Sequence, residues 1–466
     1  MVLKRLLVGI SIVFVSIWSS MAQVPAPLSL GRGGGGEALS LAQLRDSALQ
    51  NNIAIRRAHH EMEAAKEQRR EAFTNYFPSV SATGLWFNAN RDMAKMEIDP
   101  SEYITPELGQ ALAQSLPVEA LMALQSPMTI TMMKDGVLAG VTALQPLFMG
   151  GQIVIGNKLA RIGEKASELQ LQLSEHEVEA QVERYYWQLV SMEQKTRTLD
   201  AVDALLANLS NDVSAAVEAG VAMRNDLLQV QLRQNEIASQ RLKLNNGRSL
   251  VRMLLVQCCG LTTEPDHFSV VVPDIDTAAT TLIPYADQNA SVVLLPEYQL
   301  LEKNVEATTL QRKMEVGKHL PSLAVGAGYT YHNLLDNDRH FAMVFATVSV
   351  PITDWWGGSH AIRRKRIAEQ QAKEQLDDNT ALLKIRMQKA WNDVQEAQSQ
   401  LALAQNSIGQ AEENLRIQRN TYRAGTSTMS DLLQAQLLQQ QALDQRTDAF
   451  IALQNAHLAY RQATGQ

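Results

Sequence analysis

The chain has 466 residues, a formal net charge of −7 and only 5 % aromatic residues. A mildly acidic chain without a basic stripe argues against nucleic acid as a partner, and the scarcity of aromatic residues favours long helices over several compact cores. The two cysteines, Cys258 and Cys259, are adjacent, so the sequence does not carry a disulfide scaffold.

The first 22 residues have the pattern of a secretory signal peptide. A short basic region precedes an apolar run, and Ser20-Met21-Ala22 provides small residues at the two positions that signal peptidase reads, so we expect cleavage after Ala22. Residues 23–38, with the run GRGGGG, are expected to form a flexible lead. No run of eighteen apolar residues follows residue 22, so we expect no membrane-spanning helix in the mature chain.

The rest of the chain reads as two similar halves. The stretch AGVAMRNDLLQVQL at 219–232 returns 205 positions later as AGTSTMSDLLQAQL at 424–437, with eight of fourteen residues identical. NYFPSVSATG at 75–84 likewise corresponds to KHLPSLAVGAG at 318–328. The sequence therefore predicts a first repeat over 39–260, an inter-repeat segment over 261–295 and a second repeat over 296–466.

Each repeat is predicted to contain two strands, a very long helix and a shorter return helix. In the first repeat these are strands at 79–89 and 136–147 and helices at 152–219 and 225–259. In the second repeat they are strands at 322–332 and 341–351 and helices at 361–424 and 430–464. The insertion at 91–135 is expected to be helical in two pieces over 101–124, and the inter-repeat segment has one short strand candidate at 269–272.

The long helices carry a regular apolar seam. From Leu383 to Leu415, apolar residues follow one another at alternating spacings of four and three, and Ala occupies one seam position at each repeat from Ala390 to Ala411. At 1.5 Å rise per residue, each long helix would be about 100 Å long. Helices of that length are not typical of a compact globular domain.

The predicted strands of the second repeat alternate between apolar and small or polar residues. Leu323, Val325 and Tyr329 fall on one face, whereas Gly326 and Gly328 fall on the other. This alternation fits a lipid-facing barrel and, equally well by itself, half of a soluble sandwich. Four strands cannot close a barrel, and open strand edges are not tolerated in hydrocarbon, so a membrane location would require several copies of the chain.

The signal peptide, the duplication, the Pro-Ser strand starts and the A-G-x₅-D-L-L-Q turn after each long helix together resemble TolC and its outer-membrane efflux family. The resemblance extends from about Leu39 to Gly465. It implies a mainly α homotrimer in which each chain adds four strands to a twelve-stranded barrel in the outer membrane, continued by a long periplasmic α-helical barrel. It also implies a passive duct that exports small molecules or proteins in a tripartite efflux or type I secretion system. The implied partners are outer-membrane lipid, a periplasmic adaptor (a membrane fusion protein) and an inner-membrane pump of the RND, ABC or a similar class.

The same resemblance implies a gate at the two Ala-Gly turns. In the family a Tyr and an Arg of the second turn couple to an Asp of the first, and carboxylates line the mouth; the matching residues here are Tyr422, Asp226 and Asp431. Ser427 stands where the Arg would be, and Gln434 where a second mouth acid would be. The turns themselves are implied as adaptor-docking sites: Ala219, Gly220, Val221, Ala424, Gly425 and Thr426.

A plainer interpretation of the two acids remains open. Asn225 and Ser430 are good helix N-caps, and an acid in the first turn of a helix is favoured by the helix dipole. Capping alone could therefore explain Asp226 and Asp431. The two interpretations are compatible, because three copies of Asp431 around a three-fold axis would still form an anionic constriction.

Several aromatic residues are predicted at the membrane interface, where amphipathic rings are enriched; for the tryptophan pair, packing at a strand–helix junction is the alternative. These residues are Trp86, Tyr329, Tyr331, Trp355 and Trp356. The sequence contains no nucleophile elbow, phosphate loop or zinc-type histidine spacing, so we expect no enzyme activity, no catalytic residue, no cofactor and no metal site. The alternative function is a soluble periplasmic coiled-coil adaptor or scaffold of an export system.

Overall fold

A computed structural model gives the structure of the chain and describes residues 38–91, 94–98, 128–132, 135–262, 268–274, 283–333, 338–352 and 354–465, together with 105, 108, 112, 117 and 264. The side chains of residues 94–98, 128–132, 354 and 355 are not described. The predicted signal peptide (1–22), the flexible lead up to residue 37 and nearly all of the helical prediction at 101–124 lie outside the described residues.

The described chain is mainly helical. The helices are α1 (Leu41–Asn51), α2 (Ile53–Thr74), α3 (Gln152–Glu218), α4 (Arg224–Cys259), α5 (Gln288–Val292), α6 (Pro296–Lys318), α7 (Asp354–Arg423) and α8 (Met429–Thr464). The strands are β1 (Ser79–Asn88), β2 (Ala94–Ile98), β3 (Met128–Met132), β4 (Asp135–Met149), β5 (Ser322–His332) and β6 (Arg339–Ser349). No helix in the described ranges is both long and apolar enough to cross a membrane.

The main sheet is antiparallel, with the strand order β1-β4-β5-β6. Directly paired residues lie on the same face of a sheet, and the registers align Trp86 with Val137, Val141 with Tyr329, and Leu323 with Val348. One face is thus mostly apolar, whereas the other is mixed, with small and polar pairs such as Thr142 opposite Gly328 and apolar pairs such as Leu85 opposite Leu138. This arrangement supports the alternation that the sequence predicts. Within the described residues, β1 and β6 each pair along one edge only.

The structure differs from the sequence-based expectation at two places. The insertion between β1 and β4 contains a second hairpin, β2 with β3, which the sequence analysis did not predict. The strand candidate at 269–272 is a single parallel bridge from Val270 to Leu39, with two backbone hydrogen bonds of 3.0 Å. The pairing does not extend into a strand because only Leu39, just before α1, lies alongside this segment.

The second long helix begins at Asp354, seven residues before the predicted start at 361. The pair Gly357-Gly358 stands before the second long helix as Gly150-Gly151 stands before the first, but the two pairs differ in backbone. Gly150 and Gly151 have φ of 58° and 79° and form a turn between β4 and α3. Neither glycine of the second pair has a positive φ. Gly358 packs against the ring of His319, where a Cβ would clash, so this glycine provides close approach inside a helix rather than a turn.

The described residues group into two compact units. The first comprises the described parts of Met1–Arg56, Glu175–Pro284 and Trp391–Tyr460, and the second comprises those of Arg57–Ser174, Tyr285–Ala390 and Arg461–Gln466. In the first unit, the core includes Leu206, Val230, Ile237 and Leu432 from α3, α4 and α8. In the second unit, Glu369 of α7 accepts hydrogen bonds from Arg312 of α6 at 2.6 Å and from Lys373 at 2.9 Å.

The predicted seam of α7 is buried. Eight of its ten residues are buried, and Ile408 and Ala411 are half-buried. The predicted fold class, mainly helical with four antiparallel strands in the main sheet and two repeats of the same element order, is confirmed.

Candidate functional site

The two Ala-Gly turns have nearly the same backbone. Gly220 follows α3 with φ of 76°, and Gly425 follows α7 with φ of 74°. In each turn the glycine N–H donates to the carbonyl three residues back, and the next N–H donates to the carbonyl five residues back, at 2.9–3.0 Å. This pair of bonds is the Schellman motif, which satisfies the last carbonyls of a helix and needs a left-handed residue.

The helix after the first turn starts with a single side-chain contact. The backbone N–H of Met223, the N-cap of α4, donates to a carboxylate oxygen of Asp226 at 3.3 Å. The side chain of Met223 makes no capping hydrogen bond. Asp226 therefore caps the start of α4 by accepting an otherwise unpaired donor.

The helix after the second turn is held by a small hydrogen-bond network. The Thr428 hydroxyl and backbone N–H donate to Asp431 at 2.6 and 3.1 Å, and the N–H of Asp431 donates back to the Thr428 hydroxyl at 3.2 Å. The Ser427 hydroxyl lies 2.9 Å from Oε1 of Gln418 and 3.4 Å from Asp431. The Thr428 hydroxyl and N–H, with a smaller contribution from Ser427, hold the pKa of Asp431 below its ordinary value of 3.8.

Tyr422 and Asp226 come near each other but are not bonded. Tyr422 is half-buried against the core of the first unit. Its pKa is raised first by burial and then by the charge of Asp226. The Asp226 carboxylate therefore lies within electrostatic range of the Tyr422 hydroxyl. In the described chain the Tyr422 hydroxyl does not form a hydrogen bond to Asp226, so the single chain does not contain a closed latch.

The other residues singled out at the gate are placed as follows. Ser427 bonds within its own turn, as described above, and Gln434 is exposed, without a hydrogen-bond partner in the described chain. Asn225 and Ser430 are not caps, since each is the second residue of its helix. The cap of the second helix is instead Thr428, whose hydroxyl accepts from the N–H of Asp431.

Thr428 and Gln418 are the contributors that the sequence analysis missed. The spacing Thr428-x-x-Asp431 fits a capping box and could have identified Thr428. Gln418 lies nine residues before Ser427 on the other side of the turn, and nothing in its local sequence marks it.

The six residues predicted for adaptor docking are all exposed: Ala219, Gly220, Val221, Ala424, Gly425 and Thr426. Among the predicted interface aromatics, Trp86 and Tyr329 are exposed, and Tyr331 donates to Asp338 at 2.8 Å. Trp356 is 86 % exposed, and the side chain of Trp355 lies outside the described part. Across the described residues, no cluster of three or more His, Cys, Asp or Glu side chains could hold a metal ion.

Two long helices that end in matching turns, their return helices and an open four-stranded antiparallel sheet define the fold of a TolC-like outer-membrane channel protomer. Residues 296–466 match the model of the family described as outer membrane efflux protein. The resemblance stated from the sequence is thus confirmed, by the family model over the second repeat and by the fold over most of the chain.

Solved channel structures share the fold at low sequence identity. CusC, whose structures are described as showing changes that accompany folding and channel formation, superposes with a TM-score of 0.75 at 14 % identity, over 96 % of this chain and 97 % of its own. The CmeC channel of Campylobacter jejuni superposes with a TM-score of 0.73 at 14 % identity, over 91 % of this chain and 85 % of its own. VceC of Vibrio cholerae superposes with a TM-score of 0.70 at 14 % identity, over 91 % of this chain and 96 % of its own. No protein of curated function matches the sequence. The family and these structures are channels rather than enzymes, in agreement with the expectation of no enzyme activity.

Proposed function

We propose that three copies of this chain form a passive duct in the outer membrane that serves an efflux or type I secretion system. The observation that carries the proposal is the sheet β1-β4-β5-β6, which has a mostly apolar face and, within the described part of the chain, two edges without a second partner strand. An apolar face suits lipid, but unpaired backbone groups are not tolerated in hydrocarbon. Pairing β6 of one copy with β1 of the next removes both edges, and three copies give the twelve strands of the family.

A second surface supports assembly of copies. Four leucines of α4 are exposed although they lie on one stripe of the helix: Leu228, Leu232, Leu242 and Leu250, at 48, 64, 67 and 61 %. At 100° per residue they fall within a band about 80° wide. An apolar stripe of this kind marks an interaction surface, and a neighbouring copy in a helical barrel would cover it.

The turns between the long and return helices are proposed as the closing end of the duct. Desolvated Tyr422 lies within range of the Asp226 charge, and a small inward rotation of one helix pair would bring the hydroxyl and carboxylate into hydrogen-bond distance. Asp431, repeated three times around the axis, would make the mouth anionic. With Ser427 in place of an arginine, this closure relies on fewer charge-assisted bonds.

The latch is tested by Asp226→Ala combined with Tyr422→Phe in planar bilayers. We expect a higher single-channel conductance, because the double variant removes both groups that would hold the turns together. Glu218→Ala is the matched control, since it removes a nearby exposed charge without touching Tyr422. Equal conductance of the wild type and the double variant would reject this pair as the latch.

The cellular setting follows from the same proposal. The chain is exported with a cleaved signal peptide, sits in the outer membrane, extends into the periplasm and works with a periplasmic adaptor and an inner-membrane pump. Co-purification followed by mass spectrometry would identify both partners. Membrane fractionation separates the duct from a soluble scaffold, because a duct remains in the outer membrane until detergent is added, whereas a scaffold is released by washing.

A further inference from the structure

A cleft in the first unit lies beside the second turn. It has a volume of about 380 Å³ and is bounded by one face of α3, the end of α7 and the start of α8. Its apolar wall includes Val213, Leu415 and Leu432, all of which are buried. Pockets with an apolar wall and a few polar groups are the usual form of a small-molecule site.

One polar group in the wall is unsatisfied. Gln436 is only 1 % exposed, and its Oε1 accepts a hydrogen bond from Nε of Arg233 at 3.3 Å. Because arginine can only donate, this contact fixes the orientation of the amide and leaves Nε2 as the free end. Nε2 has no partner in the described chain. A buried donor without an acceptor is costly. Nε2 itself has almost no accessible surface, so an occupant that brings an acceptor is favoured when it draws this end of the amide into the cleft.

The rim of the cleft is cationic. Arg419 and Arg423 lie on it, and neither forms an ion pair within the described residues, whereas Asp212 provides one negative charge. The three charges sum to +1, so a single negative charge on the occupant would neutralise the rim. Arg416, one turn away on the same helix, is instead paired with Glu413 at 2.6 Å and does not line the cleft.

We propose that this cleft binds a small amphiphilic monocarboxylate. Its apolar body lies against Val213, Leu415 and Leu432, and its carboxylate accepts from Nε2 of Gln436 and from the guanidinium groups of the rim. The charge balance favours a monoanion over a dianion, and the apolar wall favours a ring or short chain over a sugar acid. The site goes beyond the proposed duct, and binding is measured without any reference to conductance.

The probe is 2-naphthoate, titrated by calorimetry into the full-length protein in nanodiscs, with 2-naphthamide as the uncharged analogue. We expect one site per chain and a clear preference for the carboxylate. Gln436→Met should weaken binding by about 10- to 150-fold, the value of one hydrogen bond to a charged group. Arg419→Gln with Arg423→Gln should weaken it by about tenfold and abolish the preference over the amide. Arg416→Gln is the matched control and should bind as the wild type does.

Each other outcome overturns the proposal. Absence of binding would mean that water, a neighbouring copy or another protein fills the cleft. Equal affinity of the wild type and the arginine pair variant would place the probe elsewhere, as would a loss with Arg416→Gln. The arginines are exposed, so their variant keeps its fold and decides the matter even if Gln436→Met does not fold.

Discussion

The turn after α3 and the turn after α7 share a backbone but differ in the side chains that hold them. Both have a left-handed glycine and the same pair of helix-ending hydrogen bonds. At the start of the following helix, Met223 of the first turn has no side-chain cap, whereas Thr428 of the second has one. Ala222 has no polar side-chain group, whereas the hydroxyl of its counterpart Ser427 bonds to Gln418.

The backbone path of each turn and the stability of the helix that follows it therefore depend on different residues. The glycine and the helix-ending bonds determine the path of the chain, and the capping side chains determine how easily the next helix frays. We therefore expect the first turn to open more readily than the second. If the turns form the closing end of a duct, the first turn is the more mobile half of the closure.

Replacing either glycine should have the largest effect. Gly220→Ala and Gly425→Ala place a Cβ in open space, so the only cost is the left-handed backbone, about 1–2 kcal/mol in each turn. Hydrogen exchange followed by mass spectrometry should show roughly 5- to 30-fold faster exchange of the affected turn. Similar increases in the two turns would support a shared backbone, and strongly unequal increases would contradict it.

Gly409→Ala is the matched control for this pair. Gly409 lies inside α7, also in open space, but without a positive φ. Alanine there should stabilise the helix by about 0.5–1 kcal/mol. Faster exchange in that variant would show that the added methyl group, rather than the backbone conformation, is responsible.

Exchanging the two cap residues tests the difference itself. Thr428→Met removes the hydroxyl that caps α8 and should cost about 1 kcal/mol, whereas Met223→Thr supplies a hydroxyl at the start of α4 and should gain up to a similar amount. Amide hydrogen exchange in the second turn should then become about fivefold faster in Thr428→Met, and amide hydrogen exchange in the first turn should become slower in Met223→Thr. Unchanged rates in both variants would mean that the caps do not control opening.

Much of this contrast could be predicted from residue types. The repeat offset of 205 identified both turns, because a left-handed position calls for glycine wherever it occurs. Strand pairs were predictable because apolar residues alternate with small ones along them. The fold class followed from these local patterns and from the resemblance, without any knowledge of contacts.

What failed depended on neighbours that are remote in sequence. Gly150-Gly151 and Gly357-Gly358 read alike, but His319 packs on Gly358 and the second pair stays helical. Thr428 is an exception, because its capping contacts with Asp431 are local and the spacing alone could have identified it. The free amide of Gln436 exists only because Arg233, 203 positions away, takes the other end.

The acid of the second turn should make that turn sensitive to low pH. The pKa of Asp431 is lowered by its bonds to Thr428, so the ionised form stabilises the turn at pH values above about 3.8, and this stabilisation is lost as pH falls through the lowered pKa. Since the carboxylate is exposed, the effect should be smaller than that of Thr428→Met. Exchange rates corrected for their intrinsic pH dependence should rise below pH 3.8 in the wild type, whereas Asp431→Asn should show a flat profile over that range.

Ser427→Ala should have the smallest effect, because it makes the second turn resemble the first at one half-buried position. The substitution removes the 2.9 Å hydrogen bond from the Ser427 hydroxyl to Gln418. Because Gln418 can bond to water instead, the turn should lose only a few tenths of a kcal/mol of stability. Exchange of the second turn should rise less than twofold. A tenfold rise would show that Ser427 supports Asp431 through its 3.4 Å contact. The turn would then behave as one coupled network rather than as a cap with a peripheral bond, and Asp431→Asn combined with Ser427→Ala would cost less than the sum of the two single changes.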